Sequence, residues 1–166
     1  MTEFIYLIIF FFLLLVIAGK DIARKKMFYA VLFIIGAAGS IPFEYPLISF
    51  GLWNHSIYPQ ILGVSWFAIL MYVPFLSLSY FIGDFLARKL KYNKYIMFFV
   101  SGMAIGFVID ITSVALGFYR YNFTIPFAIG GVPLGITIAE GIAVSVAIAI
   151  SDYISKMITK RANLKK

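Results

Sequence analysis

Apolar stretches alternate with short polar, basic clusters along the whole chain. Taken at about 20 apolar residues per crossing of a ~30 Å hydrocarbon core, the pattern predicts five spans, near residues 3–19, 27–45, 60–86, 95–117 and 131–157. Pro42 and Pro46 are expected to bend or end the second. The clusters between spans are Lys20, Arg24, Lys25, Lys26; then Arg88, Lys89, Lys91, Lys94; then Lys156, Lys160, Arg161, Lys165, Lys166. They hold thirteen of the fourteen Lys and Arg residues, and Arg120 is the exception. Cytoplasmic loops collect Lys and Arg. Five spans put all three clusters on one side, with the N-terminus outside and the C-terminus cytoplasmic; an even number would split them. The first stretch reads as a span and not as a secretory signal, because Glu3 replaces a positive n-region and Ile17-Ala18-Gly19 is a poor cleavage site. The expected architecture is an all-α integral membrane protein, one transmembrane domain over residues 1–166 in a cell membrane.

Composition strengthens this reading. The chain is 63% hydrophobic and 13% charged, with a mean hydropathy of +0.98. A soluble domain of 166 residues cannot hide that much apolar surface. A net charge of +7 in a soluble protein would point to nucleic acid. Here it points to loops facing an anionic leaflet, where each basic group gains about 1 kcal/mol, so membrane lipid and not nucleic acid is the expected partner. The absence of cysteine excludes disulfides and thiolate chemistry.

The chain also resembles itself. Glu44 is followed seven residues later by Gly51, then Trp53; Asp110 is followed seven later by Gly117, then Tyr119. Gly63-Val64 matches Gly131-Val132, and Asp84 with Arg88 matches Asp152 with Lys156. The offset is 66 residues, then 68 after a two-residue insertion. Residues 27–91 and 95–160 thus form a parallel repeat of two helical hairpins, with the first helix as an extra element. Gly36 to Ser40 and Gly102 to Gly106 are small-residue faces suited to close helix packing.

The repeat sorts the seven carboxylates. Asp84 and Asp152 stand four residues before a basic partner and need only a structural explanation. Asp21 is expected in a loop beside Arg24 and Lys25, and Glu3 is terminal. Glu44, Asp110 and Glu140 remain, all toward the outer side. An ionisable group at membrane depth is costly and is a functional candidate by default; the alternative is a carboxyl that bonds a neighbouring helix or Arg120. The outer segments, residues 50–58 and 117–123, are rich in aromatics, as an interfacial belt also would be. The lone His55 has no metal-ligand company and reads as an interfacial hydrogen-bonding group. Asn122-Phe123-Thr124 fits a glycosylation sequon. No phosphate loop, zinc spacing or nucleophile elbow is found, and neither a metal nor a cofactor is expected.

Glu44 to Gly51 and Trp53, Gly63-Val64 with Trp66, Asp110 to Gly117 and Tyr119, and Gly131-Val132-Pro133-Leu134 together resemble the membrane-embedded carotenoid biosynthesis proteins, the group of the lycopene-cyclase domains and bisanhydrobacterioruberin hydratases. The likeness spans about residues 40–153. It departs at two points: lycopene-cyclase domains carry Glu-Glu soon after the Pro, where this chain has Glu140-Gly141, and full-length enzymes of this group are usually longer, with more spans. The resemblance implies a carotenoid or other isoprenoid ligand and acid roles for Asp110 and Glu140. Such chemistry starts by protonating a C=C bond. It needs a carboxylic acid held neutral by apolar surroundings and aromatic faces around the tertiary cation. Asp110, Glu140 and Glu44 are the candidate acids. Trp53, Trp66, Tyr72, Tyr119, Tyr121 and Arg120 are the candidate substrate-binding residues. Two other readings stand beside the enzyme: a non-catalytic subunit or lipid-binding scaffold in a homo-oligomer or larger complex, and a small transporter. The inner halves of the spans lack the polar path a transporter needs.

Overall fold

The computed structural model describes residues 2–122 and 127–163. Phe123 and Thr124 of the sequon, and Lys165 and Lys166 of the third basic cluster, lie outside the described residues. Five long helices carry the chain: α1 (Thr2–Arg24), α2 (Lys26–Ser49), α3 (Trp66–Leu90), α4 (Lys94–Ala115) and α5 (Leu134–Asn163). All five are long and apolar enough to cross a membrane. The chain is an all-α, multi-pass membrane protein. Three two-stranded ladders cap one end, made by β1 (Trp53–His55) with β4 (Tyr119–Tyr121), β2 (Gln60–Ile61) with β3 (Val64–Ser65), and β5 (Ala128–Ile129) with β6 (Val132–Pro133).

Several expected boundaries move. α2 runs through Pro42 and Pro46 to Ser49. The prolines fall in its last two turns, where lost N–H donors shorten the ladder without ending the helix. The third span begins at Trp66 and not at residue 60, because Gln60 to Ser65 form a hairpin. Asp21 lies in the last turn of α1 and not in a loop; its Oδ1 is 3.2 Å from Lys25 Nζ, and its Oδ2 accepts the Tyr29 hydroxyl at 3.0 Å.

Equivalent positions of the two hairpins carry equivalent geometry. Backbone bonds from Leu52 N to Leu47 O and from Gly51 N to Ile48 O recur 66 residues later as Phe118 N to Ser113 O and Gly117 N to Val114 O. The β2–β3 turn places Leu62 and Gly63 at φ 52° and 84°; the β5–β6 turn places Gly130 and Gly131 at 59° and 83°. Two successive positive φ values are what a two-residue hairpin turn requires. The β1–β4 register pairs Trp53 with Tyr121, Asn54 with Arg120 and His55 with Tyr119. Exchanging the two hairpins maps this ladder onto itself, so it sits on a pseudo-twofold axis through Asn54 and Arg120.

Small residues set the helix spacing. A Cβ on Gly36 would lie 3.1 Å from the Tyr72 carbonyl oxygen on α3. The equivalent Gly102 would put one 2.8 Å from Val144 and 3.2 Å from the Gly141 Cα on α5. At the basic end, Asp84 holds Arg88 at 3.1 Å and Lys25 at 3.6 Å, and Asp152 holds Lys156 at 2.6 Å. The α1–α2 junction is thereby tied to α3.

Gly102→Ala should lower the unfolding free energy in detergent by about 1–3 kcal/mol, the usual cost of overpacking. Gly39→Ala, where no atom lies within 4 Å, should be neutral or stabilising, since Ala favours helix by roughly 1 kcal/mol over Gly. Equal effects in a denaturant titration would contradict the packing described for α4 and α5.

Candidate active site

Strands alternate their side chains between two faces. In β1 this turns Trp53 and His55 into the protein and Asn54 out; in β4 it turns Tyr119 and Tyr121 inward and Arg120 out. The inward set covers the ends of α2 and α4, where Glu44 and Asp110 are 3% and 4% exposed. Each acid meets a side chain eleven residues downstream. His55 Nε2 lies 2.6 Å from Glu44 Oε2, and the Tyr121 hydroxyl donates to Asp110 Oδ2 at 2.6 Å. Tyr119 donates to the other Asp110 oxygen. Burial, and then the neighbouring Asp110 carboxyl, push both phenols far above their ordinary range. They stay protonated and act as donors.

Glu44 belongs to a chain of groups. Ser65 Oγ is 3.3 Å from His55 Nδ1 and also accepts the Ala68 N–H at 3.2 Å as the cap of α3. The simplest assignment has the Ser65 hydroxyl donating to Nδ1, which leaves the Nε2 proton for Glu44. His55 is the hydrogen-bonding group its sequence context suggests, and it is buried in the protein, 4% exposed, against Glu44.

Glu140, from the second turn of α5, completes the cluster. It packs on Gly106, where any Cβ would collide with its carboxyl, the Cδ lying 2.8 Å away. Gly106 thus belongs to the site, in addition to the helix packing its neighbours suggest. Glu44, Asp110 and Glu140 all line one cavity of about 40 Å³, walled by Trp53, Phe67, Met71, Tyr72, Phe75, Ile109 and Tyr119. A few water molecules would fill it. Two polar atoms on its wall have no hydrogen-bond partner among the described residues: Glu140 Oε2 and Trp53 Nε1. Buried polar atoms rarely stay unpaired, so the cavity has the donors and acceptors to hold a small polar guest.

The wall is built from equivalent positions. Glu44 and Asp110 are one pair, Trp53 and Tyr119 a second, and Tyr72 and Glu140, 68 residues apart, a third. Tyr72 lines this cavity with all three carboxyls and also lines a separate apolar recess of about 210 Å³ between α2 and α5, with Phe43, Leu76 and Ala147.

Two candidates fall elsewhere. Trp66 leads α3 away from the cavity, its ring 4.9 Å from Phe4 and its Nε1 donating to the Tyr58 carbonyl at 3.2 Å. Arg120 is exposed on the outer side of β4 and makes no ion pair among the described residues, so the carboxyls rely on phenols and an imidazole. Tyr121 touches the site through Asp110 and is not part of the cavity wall. Among the described residues no group of acids and histidines is arranged to hold a metal ion.

No protein-family model matches this chain, and no curated protein or solved structure matches it either. The site must be read from its own geometry.

Tyr121→Phe should cost about 1–3 kcal/mol of stability, the range for a buried hydrogen bond to a carboxyl. Adding Asp110→Asn should cost less than the sum of the two single changes, because the pair shares one interaction. Arg120→Gln should stay within about 0.5 kcal/mol of the parent. Strict additivity of the first two in a detergent unfolding cycle would show that the Tyr121–Asp110 bond contributes nothing.

Proposed function

We propose that the chain is an integral-membrane enzyme that hydrates or cyclises the end group of a linear isoprenoid polyene, a carotenoid or a relative, by acid catalysis. The observation that carries the reading is the unpartnered Glu140 oxygen facing an aromatic-walled cavity that Glu44 and Asp110 also line. A buried carboxyl oxygen left without a partner among the described residues is held at least cost on a neutral acid, the form that delivers a proton. Glu140 O–H protonates the less substituted carbon of the terminal double bond, giving a tertiary cation beside the faces of Trp53, Phe67 and Tyr119. In hydration, water adds to that cation and the resulting oxonium returns one proton to the carboxylate. In cyclisation, an internal double bond attacks the cation and an adjacent carbon loses the proton. Both routes regenerate the acid. Asp110, held by two phenols, and Glu44, held by His55, take the positioning and proton-return roles.

The rest of a long apolar substrate would lie in the α2–α5 recess, which Tyr72 divides from the cavity and whose opening to it would need that side chain to move. The small size of the cavity favours a second reading, in which the acid cluster only ties the two hairpins together within a lipid-binding scaffold. We place the aromatic end outside and the basic end in the cytoplasm, following the distribution of Lys and Arg.

Expressed in a host that supplies a linear polyene, the parent chain should yield a product one water heavier or an isomer with cyclised ends, resolved by chromatography and mass spectrometry. Glu140→Gln should lose at least about a hundredfold of that activity, the low end for a general acid, while remaining inserted and folded; Asp110→Asn should also be impaired. Full activity in both variants would refute the acid mechanism. A parent chain inactive on every polyene offered would favour the scaffold.

Orientation has its own readout, which the absence of cysteine makes clean. Single cysteines at Asn54 and Lys91 should be labelled by an impermeant thiol reagent from outside and only after lysis, respectively. External labelling at Lys91 would reverse the assignment.

A further inference from the structure

The basic end carries a second site, unconnected with the acid cavity. The α1–α2 junction and the last turns of α5 face each other across an open cleft of about 840 Å³, lined by Arg24, Lys25, Lys26, Lys156 and Lys160 with one acid, Asp152. The internal ion pairs do not neutralise it. Lys25 is held by Asp21 at 3.2 Å and by Asp84 at 3.6 Å, and Lys156 is held by Asp152 at 2.6 Å. Arg24, Lys26 and Lys160 make no ion pair among the described residues, so three cations from two distant parts of the chain converge with no counter-charge. Like charges gathered in one concave site create a potential that recruits an anion.

The cleft is also amphipathic. Met27, 45% exposed, and the ring of Phe28 lie beside the cations. The Tyr80 hydroxyl accepts from Lys25 at 2.8 Å. A free anion needs none of this apolar surface. An anionic headgroup with acyl chains uses both parts, and the cleft lies at the basic ends of the apolar helices α1, α2 and α5. We propose that this cleft binds the phosphate headgroup of an anionic membrane lipid, with the chains running alongside Met27. Basic pockets between transmembrane helices have the chemistry for such headgroups.

The purified chain, reconstituted in nanodiscs of phosphatidylglycerol and phosphatidylcholine and then moved to detergent, should retain phosphatidylglycerol selectively by native mass spectrometry. The triple variant Arg24→Gln, Lys26→Gln, Lys160→Gln should lose that selectivity by about tenfold or more. Lys89→Gln, Lys91→Gln, Lys94→Gln, which removes as much charge outside the cleft, should keep it. Circular dichroism of both variants checks that they fold. Equal loss in the two variants, or no preference for phosphatidylglycerol in the parent, would overturn the proposal. Displacement of the lipid by excess inorganic phosphate or pyrophosphate would also overturn it, in favour of a soluble anion.

Discussion

Carboxyl groups inside an apolar bundle must find donors, and this requirement organises the aromatic end of the protein. A bare acid at membrane depth costs roughly 2.5–3.5 kcal/mol even on lenient insertion scales. Glu44 and Asp110 sit near the ends of α2 and α4, where the neighbouring helices offer mostly apolar side chains and few donors. Their donors come from the chain that follows each helix, eleven residues on. To bring His55 and Tyr121 back over the acids, each helix must end in a tight turn, and the two returning segments must satisfy their own backbone. They do so by pairing with each other as the β1–β4 ladder. The turns, the ladder and the burial of Trp53 and Tyr119 all follow from placing two acids there.

The result is nearly twofold symmetric, and the acid with an unpaired oxygen lies where the symmetry fails. Glu44 and Asp110 hold matching places, as do Trp53 and Tyr119. The third pair does not match, because α3 offers the phenol of Tyr72 where α5 offers the carboxyl of Glu140. Glu140 faces a phenol and not a second acid across the axis, and its Oε2 has no hydrogen-bond partner among the described residues. The two hairpins thus supply two anchored carboxyls, and the one difference between them, Tyr72 against Glu140, supplies a third acid.

Much of this was legible in the sequence. Charge cost in hydrocarbon writes spans and basic clusters directly into composition, and an offset of 66 then 68 residues exposed the hairpins. The three deep acids stood out once Asp84 and Asp152 were accounted for by their basic neighbours. The outer ladders were not legible, since strands of two or three residues are too short for alternation to show against an aromatic background. Pro42 and Pro46 suggested a helix end because they were weighed without their position in its final turns. Arg120 and Trp66 were chosen by residue type. Alternation along β4 excludes Arg120 once Tyr119 and Tyr121 are known to face inward. His55 had a signal that went unread: it stands eleven residues after Glu44, just as Tyr121 stands eleven after Asp110.

The central claim is that a carboxylic acid of this chain delivers a proton to carbon. Isotope incorporation tests it most directly. The purified protein, reconstituted with a linear polyene in deuterated water, should give product with one carbon-bound deuterium for each end group converted, since the acid proton exchanges with solvent before transfer. Product formed without carbon-bound deuterium, or no product in a folded and correctly inserted protein, would contradict the account.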